Sequence, residues 1–244
     1  VDCLTFYAFS TENWNRDPSE IAKIFDAIEA TARAMAFSRT LREDLRIVAL
    51  GDLDDPRIPN GLRSIVRELE EITSRDDDDD DDEAQYDEEQ DEAQYEAQDE
   101  NVTNTTTTTT TANPPRTNSN RRRRRRRLTV CLAINYGGRR DIAEACKALA
   151  EQARDGTLDP SSITEDTVER ALGSVSRCKL PGPPDLIVRT GGEHRLSNFL
   201  LWEAAYAELC VLPTLWPDFT VSGFGEALDW YAGRKRNFGG REPQ

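Results

Sequence analysis

Two arginines and a serine occur within nine residues of one another in the stretch RTGGEHRLS. Arg189 and Arg195 flank the glycine pair Gly191–Gly192, and Ser197 follows. Guanidinium groups bind phosphate oxygens in a bidentate manner, and glycines let backbone N–H groups approach an anion closely. These residue types at this spacing predict an anion-binding site, with surface ion pairs as the alternative.

Three further loops carry glycines or charged groups, and each follows a predicted strand. STENWNR follows the first strand, Gly51–Asp52 the second and NYGGRRD the third. In open parallel sheets, ligands bind outside the carboxyl ends of the strands. Arg16 and Arg139 lie in two of these loops and can converge with the arginine pair. The four loops therefore predict one site for a phosphate or a diphosphate.

Five apolar runs predict the strands that would position these loops: Cys3–Phe9, Leu45–Leu50, Leu128–Ile134, Asp185–Arg189 and Glu208–Leu212. Helices are predicted between and after them, at 19–38, 60–73, 139–154, 164–172, 196–206 and 223–235. The first helix has Asp17 as its N-cap and Pro18 as its first residue. Apolar strands that alternate with helices are typical of an α/β fold with a mostly parallel sheet wrapped by helices.

The composition bears on the environment of the protein. The formal net charge is −15, and only four lysines accompany 27 arginines. Such a composition suggests a salt-rich cytosol, where screening weakens self-repulsion, although acidity also simply keeps a protein in solution. Five scattered cysteines without a CxxC pair fit the reduced thiols of a cytoplasmic protein.

Residues 76–127 are predicted to be a disordered, low-complexity insertion in a single domain formed by residues 1–75 and 128–244. An aspartate run, an EAQY repeat, a threonine run and Arg121–Arg127 follow one another. This composition buries too little apolar surface to offset the entropy of ordering. The arginine run could attract nucleic acid. The acidic run of the same segment is an equally available partner, so we favour self-neutralisation and expect no nucleic acid.

Several common sites are excluded because their motifs do not occur. Without GxxxxGK[ST] or GxGxxG, neither a P-loop nucleotide site nor a dinucleotide-binding fold is supported. A single histidine, His194, and the absence of a serine elbow argue against a nucleophilic triad. Trp202 is predicted to pack in the core, whereas Trp14, in a polar loop, is predicted to cover the site.

Four stretches of the chain closely resemble the cis-prenyltransferases of the undecaprenyl diphosphate synthase type. They are LTFYAFSTENWNR (Leu4–Arg16), INYGGRRDI (Ile134–Ile142), DLIVRTGGEHRLSNFLLWEAAYAEL (Asp185–Leu209) and LWPDF (Leu215–Phe219). The resemblance runs in order through essentially the whole chain outside the insertion. It implies the condensation of isopentenyl diphosphate units onto an allylic diphosphate, farnesyl or geranylgeranyl diphosphate. The product would be a long-chain polyprenyl diphosphate, a lipid carrier precursor.

The resemblance also implies roles for individual residues. In FSTENWNR it places substrate-binding residues at Ser10, Thr11, Glu12, Trp14 and Arg16, with Asn13 at the catalytic, proton-accepting position. Further along, Arg189, Arg195, Leu196 and Ser197 would bind substrate, and Glu208 would be a ligand of Mg²⁺. A neutral amide is a very poor base, so the alternative is that Asn13 orients the substrate while a phosphate oxygen takes the proton.

The resemblance further implies a homodimer, with peripheral membrane contact through the product. Two departures from the family pattern affect these expectations. An Asp-Gly-Asn-type loop that carries a metal-binding aspartate would precede Val1, so we expect the chain to be N-terminally incomplete for turnover. Asn237 stands where many relatives have arginine. The alternative, a noncatalytic partner subunit of a heteromeric enzyme, is disfavoured because the arginine–serine and FSTENW elements are intact.

Overall fold

The computed structural model describes residues 1–74, 127–176 and 178–235, without the side chains of residues 40–42. The predicted insertion lies outside these residues apart from Arg127, and so does the C-terminal tail with Asn237.

The five predicted strands are all present. They are β1 (Cys3–Ser10), β2 (Leu45–Leu50), β3 (Leu128–Tyr136), β4 (Leu186–Thr190) and β5 (Glu208–Leu212). They form a three-stranded sheet in the order β1-β3-β2 and a two-stranded sheet of β4 and β5. Every pairing in both sheets is parallel. The predicted fold class, α/β with parallel strands and helices, is confirmed.

The described residues also form seven α-helices. They are α1 (Pro18–Phe37), α2 (Arg39–Asp44), α3 (Asn60–Ser74), α4 (Gly138–Arg154), α5 (Glu165–Ala171), α6 (Gly173–Ser176) and α7 (Val221–Ala232). The start of α1 is as predicted, because the Asp17 carboxylate accepts a hydrogen bond from the Ser19 amide at 2.8 Å. The sequence did not predict α2 or α6, which are too short to show a helical period.

The predicted helix at 196–206 is wrong. Only Glu203–Tyr206 is helical, and it forms a 3₁₀ turn. Ser197, Asn198 and Leu200 have φ angles of 50°, 66° and 43°, which lie in the left-handed region that a right-handed helix excludes. Leu200 is nevertheless buried. The apolar run that suggested a helix therefore contributes to the core although its backbone is irregular.

Both faces of the three-stranded sheet are covered. On one face, Phe9 and Ile134 pack with Phe25 of α1 and Leu62 of α3. On the other face, β2 and β3 pack with Cys178 and Leu200. Burial on both faces accounts for the continuous apolar runs of the strands. The carboxyl ends of the strands lie outside these two packed faces. Within the described residues, no helix is sufficiently long and apolar to span a membrane.

Candidate active site

A cavity of about 630 Å³ lies where the carboxyl ends of β1, β3 and β4 meet the following loops. Three of the four loops singled out in the sequence contribute to it. Its lining comprises Tyr7, Ser10, Glu12, Asn13, Arg16, Arg139, Arg189, Arg195, Ser197 and Asn198. Four guanidinium groups from segments that are far apart in the chain therefore share one cavity, which suits a ligand with several negative charges.

The arginine–serine stretch after β4 folds into a tight turn around Arg189. Its guanidinium Nη1 donates to the backbone carbonyl of Arg195 at 2.7 Å and to Ser197 Oγ at 3.0 Å. Gly191 and Gly192 have φ angles of 89° and 73°, which let the chain reverse there. Arg189 thus holds the turn in place. Arg195 is exposed and pairs with Glu193 at 2.6 Å, so its side chain can turn toward a ligand.

The loop after β1 brings a carboxylate into this basic cavity. Burial raises the pKa of Glu12, but hydrogen bonds from its own backbone, from Asn198 and from Thr11 outweigh burial and hold the pKa below its usual value. Glu12 is therefore ionised at neutral pH. Arg16, at the end of the same loop, is ion-paired with Glu20.

Asn13 faces the cavity with its amide already engaged. Its Oδ1 accepts a hydrogen bond from the Ser10 amide at 2.8 Å. Because that oxygen turns back onto the backbone, the NH₂ group, which can only donate, is the part left for a ligand. This geometry favours the interpretation in which Asn13 orients substrate.

The sequence analysis missed two lining residues, Tyr7 and Asn198. Tyr7 lies within a strand and looked like an ordinary core residue, yet its hydroxyl donates to the carbonyl of Tyr136 at 3.2 Å. Burial, reinforced by the charge of Glu12, raises the pKa of Tyr7 to about 12, so the hydroxyl remains a donor. Asn198 directly follows Ser197, and this adjacency is the only sequence signal that could have drawn attention to it.

Trp14 is not among the described residues that line the cavity, and its role in binding substrate stays a prediction. Its ring packs against Phe9 and Phe25, with centroid distances of 4.9 and 5.6 Å. Its Nε1 donates to Oδ1 of the buried Asn135 at 2.8 Å. Trp14 is partly buried against the core cluster, and with its N–H satisfied it anchors the loop after β1.

Three other predicted site residues, Thr11, Leu196 and Glu208, are not among the described residues that line the cavity. Thr11 donates to Glu12 Oε2 at 3.1 Å and so contacts a lining residue. Glu208 pairs with Leu186 at the amino ends of β4 and β5, whereas Arg189 pairs further along the two strands. At about 3.3 Å per residue, Glu208 lies roughly 10 Å along the strand from Arg189.

The loop after β2 supports the cavity without lining it. Asp52 accepts a hydrogen bond from Arg140 Nη2 at 2.7 Å, which ties this loop to the first turn of α4. Gly51 lies so close to β3 that a Cβ atom there would be 2.1 Å from the carbonyl oxygen of Ile134. A glycine is required at this contact.

The donor set available to a metal ion is small. Among the described residues, no group of three or more Asp, Glu, His or Cys side chains could hold one. Mg²⁺ commonly takes one or two carboxylates and completes its shell with waters and substrate phosphates. The half-buried Glu208 lies outside the cavity lining; its single carboxylate would supply one such ligand and would leave the rest of the shell to waters and phosphates.

A parallel α/β fold with an arginine-lined cavity at its strand ends defines an enzyme that handles phosphorylated substrates. The model of the undecaprenyl diphosphate synthase family of prenyltransferases matches residues 1–80 and 85–239. The chain belongs to this family. The predicted family and the predicted enzyme class, prenyltransferase, are both confirmed.

Named relatives agree with this assignment. The chain is 33% identical over 247 aligned residues to the (2E,6E)-farnesyl-diphosphate-specific ditrans,polycis-undecaprenyl-diphosphate synthase of Salmonella paratyphi A. It is 32% identical to the enzyme of the same name from Escherichia coli K12. Each alignment covers 100% of this chain and 74% of the relative.

Solved structures show the same fold. Lavandulyl diphosphate synthase from Lavandula x intermedia, crystallised with dimethylallyl diphosphate, superposes with a TM-score of 0.70 at 27% identity, over 98% of this chain and 79% of that one. A probable undecaprenyl diphosphate synthase from Campylobacter jejuni gives a TM-score of 0.65 at 27% identity, over 98% and 84% of the two chains.

Proposed function

We propose that the arginine-lined cavity binds isopentenyl diphosphate and that the chain condenses it with an allylic diphosphate, farnesyl or geranylgeranyl diphosphate, to make a long-chain polyprenyl diphosphate. One observation carries this proposal: Arg189, Arg195 and Ser197 share a single cavity with Arg16 and Arg139. Because Arg16, Arg139 and the turn that follows β4 are far apart in the chain, only the tertiary fold brings them together. Their convergence supplies the charge-assisted hydrogen bonds that a diphosphate needs.

The reaction breaks the allylic C–O bond, and the diphosphate leaves with the bonding electrons. The alkene of isopentenyl diphosphate forms a C–C bond to the vacated carbon, and a proton is lost to give the new double bond. Negative charge grows on the departing diphosphate, so fixed guanidinium groups stabilise the transition state more than the ground state. In this proposal Arg16 and Arg139 serve that purpose, while Asn13 donates to a substrate oxygen and a phosphate oxygen takes the proton.

We also propose that Mg²⁺ accompanies the diphosphate, with Glu208 as its protein ligand. When bound, Mg²⁺ would neutralise part of the charge on the leaving diphosphate. Glu208→Gln should then mainly raise the concentration of Mg²⁺ that half-maximal activity requires. Titrating Mg²⁺ at saturating substrate, with Glu151→Gln on the exposed face of α4 as the control, tests this role.

The environment and assembly of the protein are part of the proposal. We propose a cytoplasmic homodimer in a salt-rich cytosol, with a lipid product that brings it to the membrane surface. The net charge of −15 supports the salt adaptation. Light scattering tests the dimer, and melting temperatures measured from low to multimolar KCl test the adaptation. A protein fully stable and active without salt would contradict it.

Arg195→Ala tests the diphosphate site. Removing one charge-assisted partner from a confined site costs about 2 kcal/mol, or roughly 30-fold in the dissociation constant for isopentenyl diphosphate. Calorimetric titration measures this change. Arg154→Ala is the matched control, because Arg154 is also exposed and paired with a neighbouring carboxylate, Asp155, but does not line the cavity.

Equal affinities in Arg195→Ala and the control would overturn the placement of the site. Incubation with farnesyl or geranylgeranyl diphosphate, followed by chromatography of the polyprenyl products, tests the condensation itself. A chain that binds isopentenyl diphosphate but forms product only with a second, different subunit would support the alternative of a noncatalytic partner.

A further inference from the structure

Asn198 makes three hydrogen bonds to two distant segments of the cavity wall. Its backbone carbonyl accepts from the Gly138 amide at 2.7 Å, and its Oδ1 accepts from the Arg139 amide at 2.8 Å. Its Nδ2 donates to Glu12 Oε1 at 2.7 Å. One residue thus joins the loop after β1, the first turn of α4 and the turn that follows β4.

The partners determine which way this amide points. A backbone N–H can only donate and a carboxylate can only accept, so the Asn198 oxygen faces Arg139 and its nitrogen faces Glu12. An ionised aspartate, which can only accept, cannot satisfy both partners at once. Asparagine is also one of the few residues that readily adopt the observed left-handed backbone, with φ of 66°.

The surroundings are shaped around this side chain. A Cβ atom on Gly137 would lie 2.6 Å from Asn198 Nδ2. Any other residue at position 137 would therefore clash with the Asn198 side-chain amide. Gly137 is the N-cap of α4 and offers no side chain to the free amides of the first turn. Asn198 supplies acceptors for two of these amides, those of Gly138 and Arg139, from another part of the chain.

We propose that Asn198 is a positioning residue that holds Arg139 and Glu12 in register with the Arg189–Ser197 turn, so that the cavity is assembled before the diphosphate arrives. This inference rests on the proposed function, because the cavity is taken to bind the diphosphate of isopentenyl diphosphate. Pre-ordering these groups avoids the entropic cost of gathering them during binding.

Four variants test the proposal. Asn198→Gly removes the amide but suits the left-handed backbone, so it isolates the side chain from backbone strain. Asn198→Asp keeps the acceptor for Arg139 and places two carboxylates side by side. The double variant, Glu12→Gln with Asn198→Asp, restores the hydrogen bond with donor and acceptor exchanged, because the glutamine amide now donates to the carboxylate. Its affinity is compared with that of Glu12→Gln alone. Lys179→Gly, at another left-handed position away from the cavity (φ 46°), is the control.

Calorimetry with isopentenyl diphosphate is the first measurement. Asn198→Gly and Asn198→Asp should each weaken binding at least tenfold, while Lys179→Gly binds like the wild type and thermal unfolding shows that all variants are folded. The double variant should bind within threefold of Glu12→Gln alone. Asn198→Gly leaves the charge of the cavity unchanged, so its loss of affinity would exclude a purely electrostatic explanation. Unchanged affinity in Asn198→Gly, or no recovery in the double variant, would overturn the proposal.

Residue-resolved amide hydrogen exchange is the second measurement, and it does not depend on ligand binding. The Arg139 amide should lose protection in Asn198→Gly and keep it in Asn198→Asp. The Gly138 amide, which bonds the backbone carbonyl of residue 198, should stay protected in both and serves as an internal reference. Unchanged Arg139 protection in Asn198→Gly would contradict the positioning role. If the wild type does not bind isopentenyl diphosphate, the proposed function fails, and the exchange pattern alone decides the role of Asn198.

Discussion

At the scale of single residues, the most unusual group outside the cavity is the buried carboxyl of Glu203. It accepts a hydrogen bond from Ser174 Oγ at 2.6 Å and is almost fully excluded from solvent. Burial raises the pKa of Glu203; the Ser174 hydrogen bond opposes this shift, and the nearby charges of Asp141 and Glu169 reinforce it. Burial, together with the nearby carboxylates of Glu203 and Asp141, holds the pKa of the Tyr136 hydroxyl far above its usual value.

Glu203→Gln should therefore stabilise the protein at neutral pH. Because the folded-state pKa of Glu203 is raised, its favourable contribution is fully present below the usual value of 4.5 and is lost as pH rises through the raised pKa. Glutamine still accepts from Ser174 and carries no charge at any pH. The melting temperature of the variant should exceed that of the wild type at pH 7, and the gap should narrow toward pH 4.

The exposed Glu151→Gln is the control for this prediction, and its difference from the wild type should not follow the same trend with pH. A Glu203→Gln protein that melts below the wild type at pH 7 would show that the buried carboxylate is stabilising in its charged form.

At the scale of elements, the β2–α3 loop approaches the backbone of β3 closely at Gly51. Gly51 has a φ angle of 114°, and a Cβ atom there would lie 2.1 Å from the carbonyl oxygen of Ile134. Asn135, the next residue of β3, donates to the carbonyl of Asp52 at 3.0 Å. This contact ties two parallel strands together at the edge where the cavity opens.

Gly51→Ala should lower the free energy of unfolding by about 3 kcal/mol or more, because backbone strain and overpacking add at this site. Gly156→Ala is the matched control: its φ angle is 74°, but nothing lies within 4 Å of the added Cβ. Strain alone predicts a loss of about 1 kcal/mol there. Urea unfolding of both variants measures the difference, and equal losses would show that the contact with Ile134 relaxes easily.

At the scale of the whole molecule, α3 ends at Ser74 and β3 begins at Leu128. Both boundaries are anchored by contacts within the domain, and Arg127, the last residue of the segment between them, also donates a hydrogen bond to the carbonyl of Leu45 at 2.8 Å. Thr73 is buried and donates to the carbonyl of Leu69 at 2.7 Å, and Leu128 pairs with Leu45 of β2. We propose that residues 1–75 and 128–244 form the catalytic domain without help from the segment that joins them.

Replacing residues 76–127 with a short Gly-Ser linker should leave the free energy of unfolding within about 2 kcal/mol of the wild type, because the closure entropy of a connecting segment depends only weakly on its length. Binding of isopentenyl diphosphate should be unchanged. A scrambled segment of the same length and composition separates effects of length from effects of sequence. Failure of the linker variant to fold would show that the segment contributes to the domain.

Much of the fold could be predicted from the sequence because its signals are local. A strand buried on both faces must be apolar throughout, so all five strands were predicted within two residues at either end. The cap of α1 depends on Asp17 and the two residues after it, and was predicted for the same reason. Arg189, Arg195 and Ser197 belong to one turn, so their spacing predicted that they lie together, and all three line the cavity.

The remaining features depended on contacts that no local pattern records. The run at 196–206 has helical composition, but bonds from Ser197 and Asn198 to other segments impose a left-handed backbone on it. Trp14 lies in a polar stretch, yet its partners are Phe25 and Asn135. Asn198 and Glu12 are 186 residues apart. Such contacts arise only when the folded sheets bring distant loops to one edge, so the tertiary structure alone decided how the cavity is assembled.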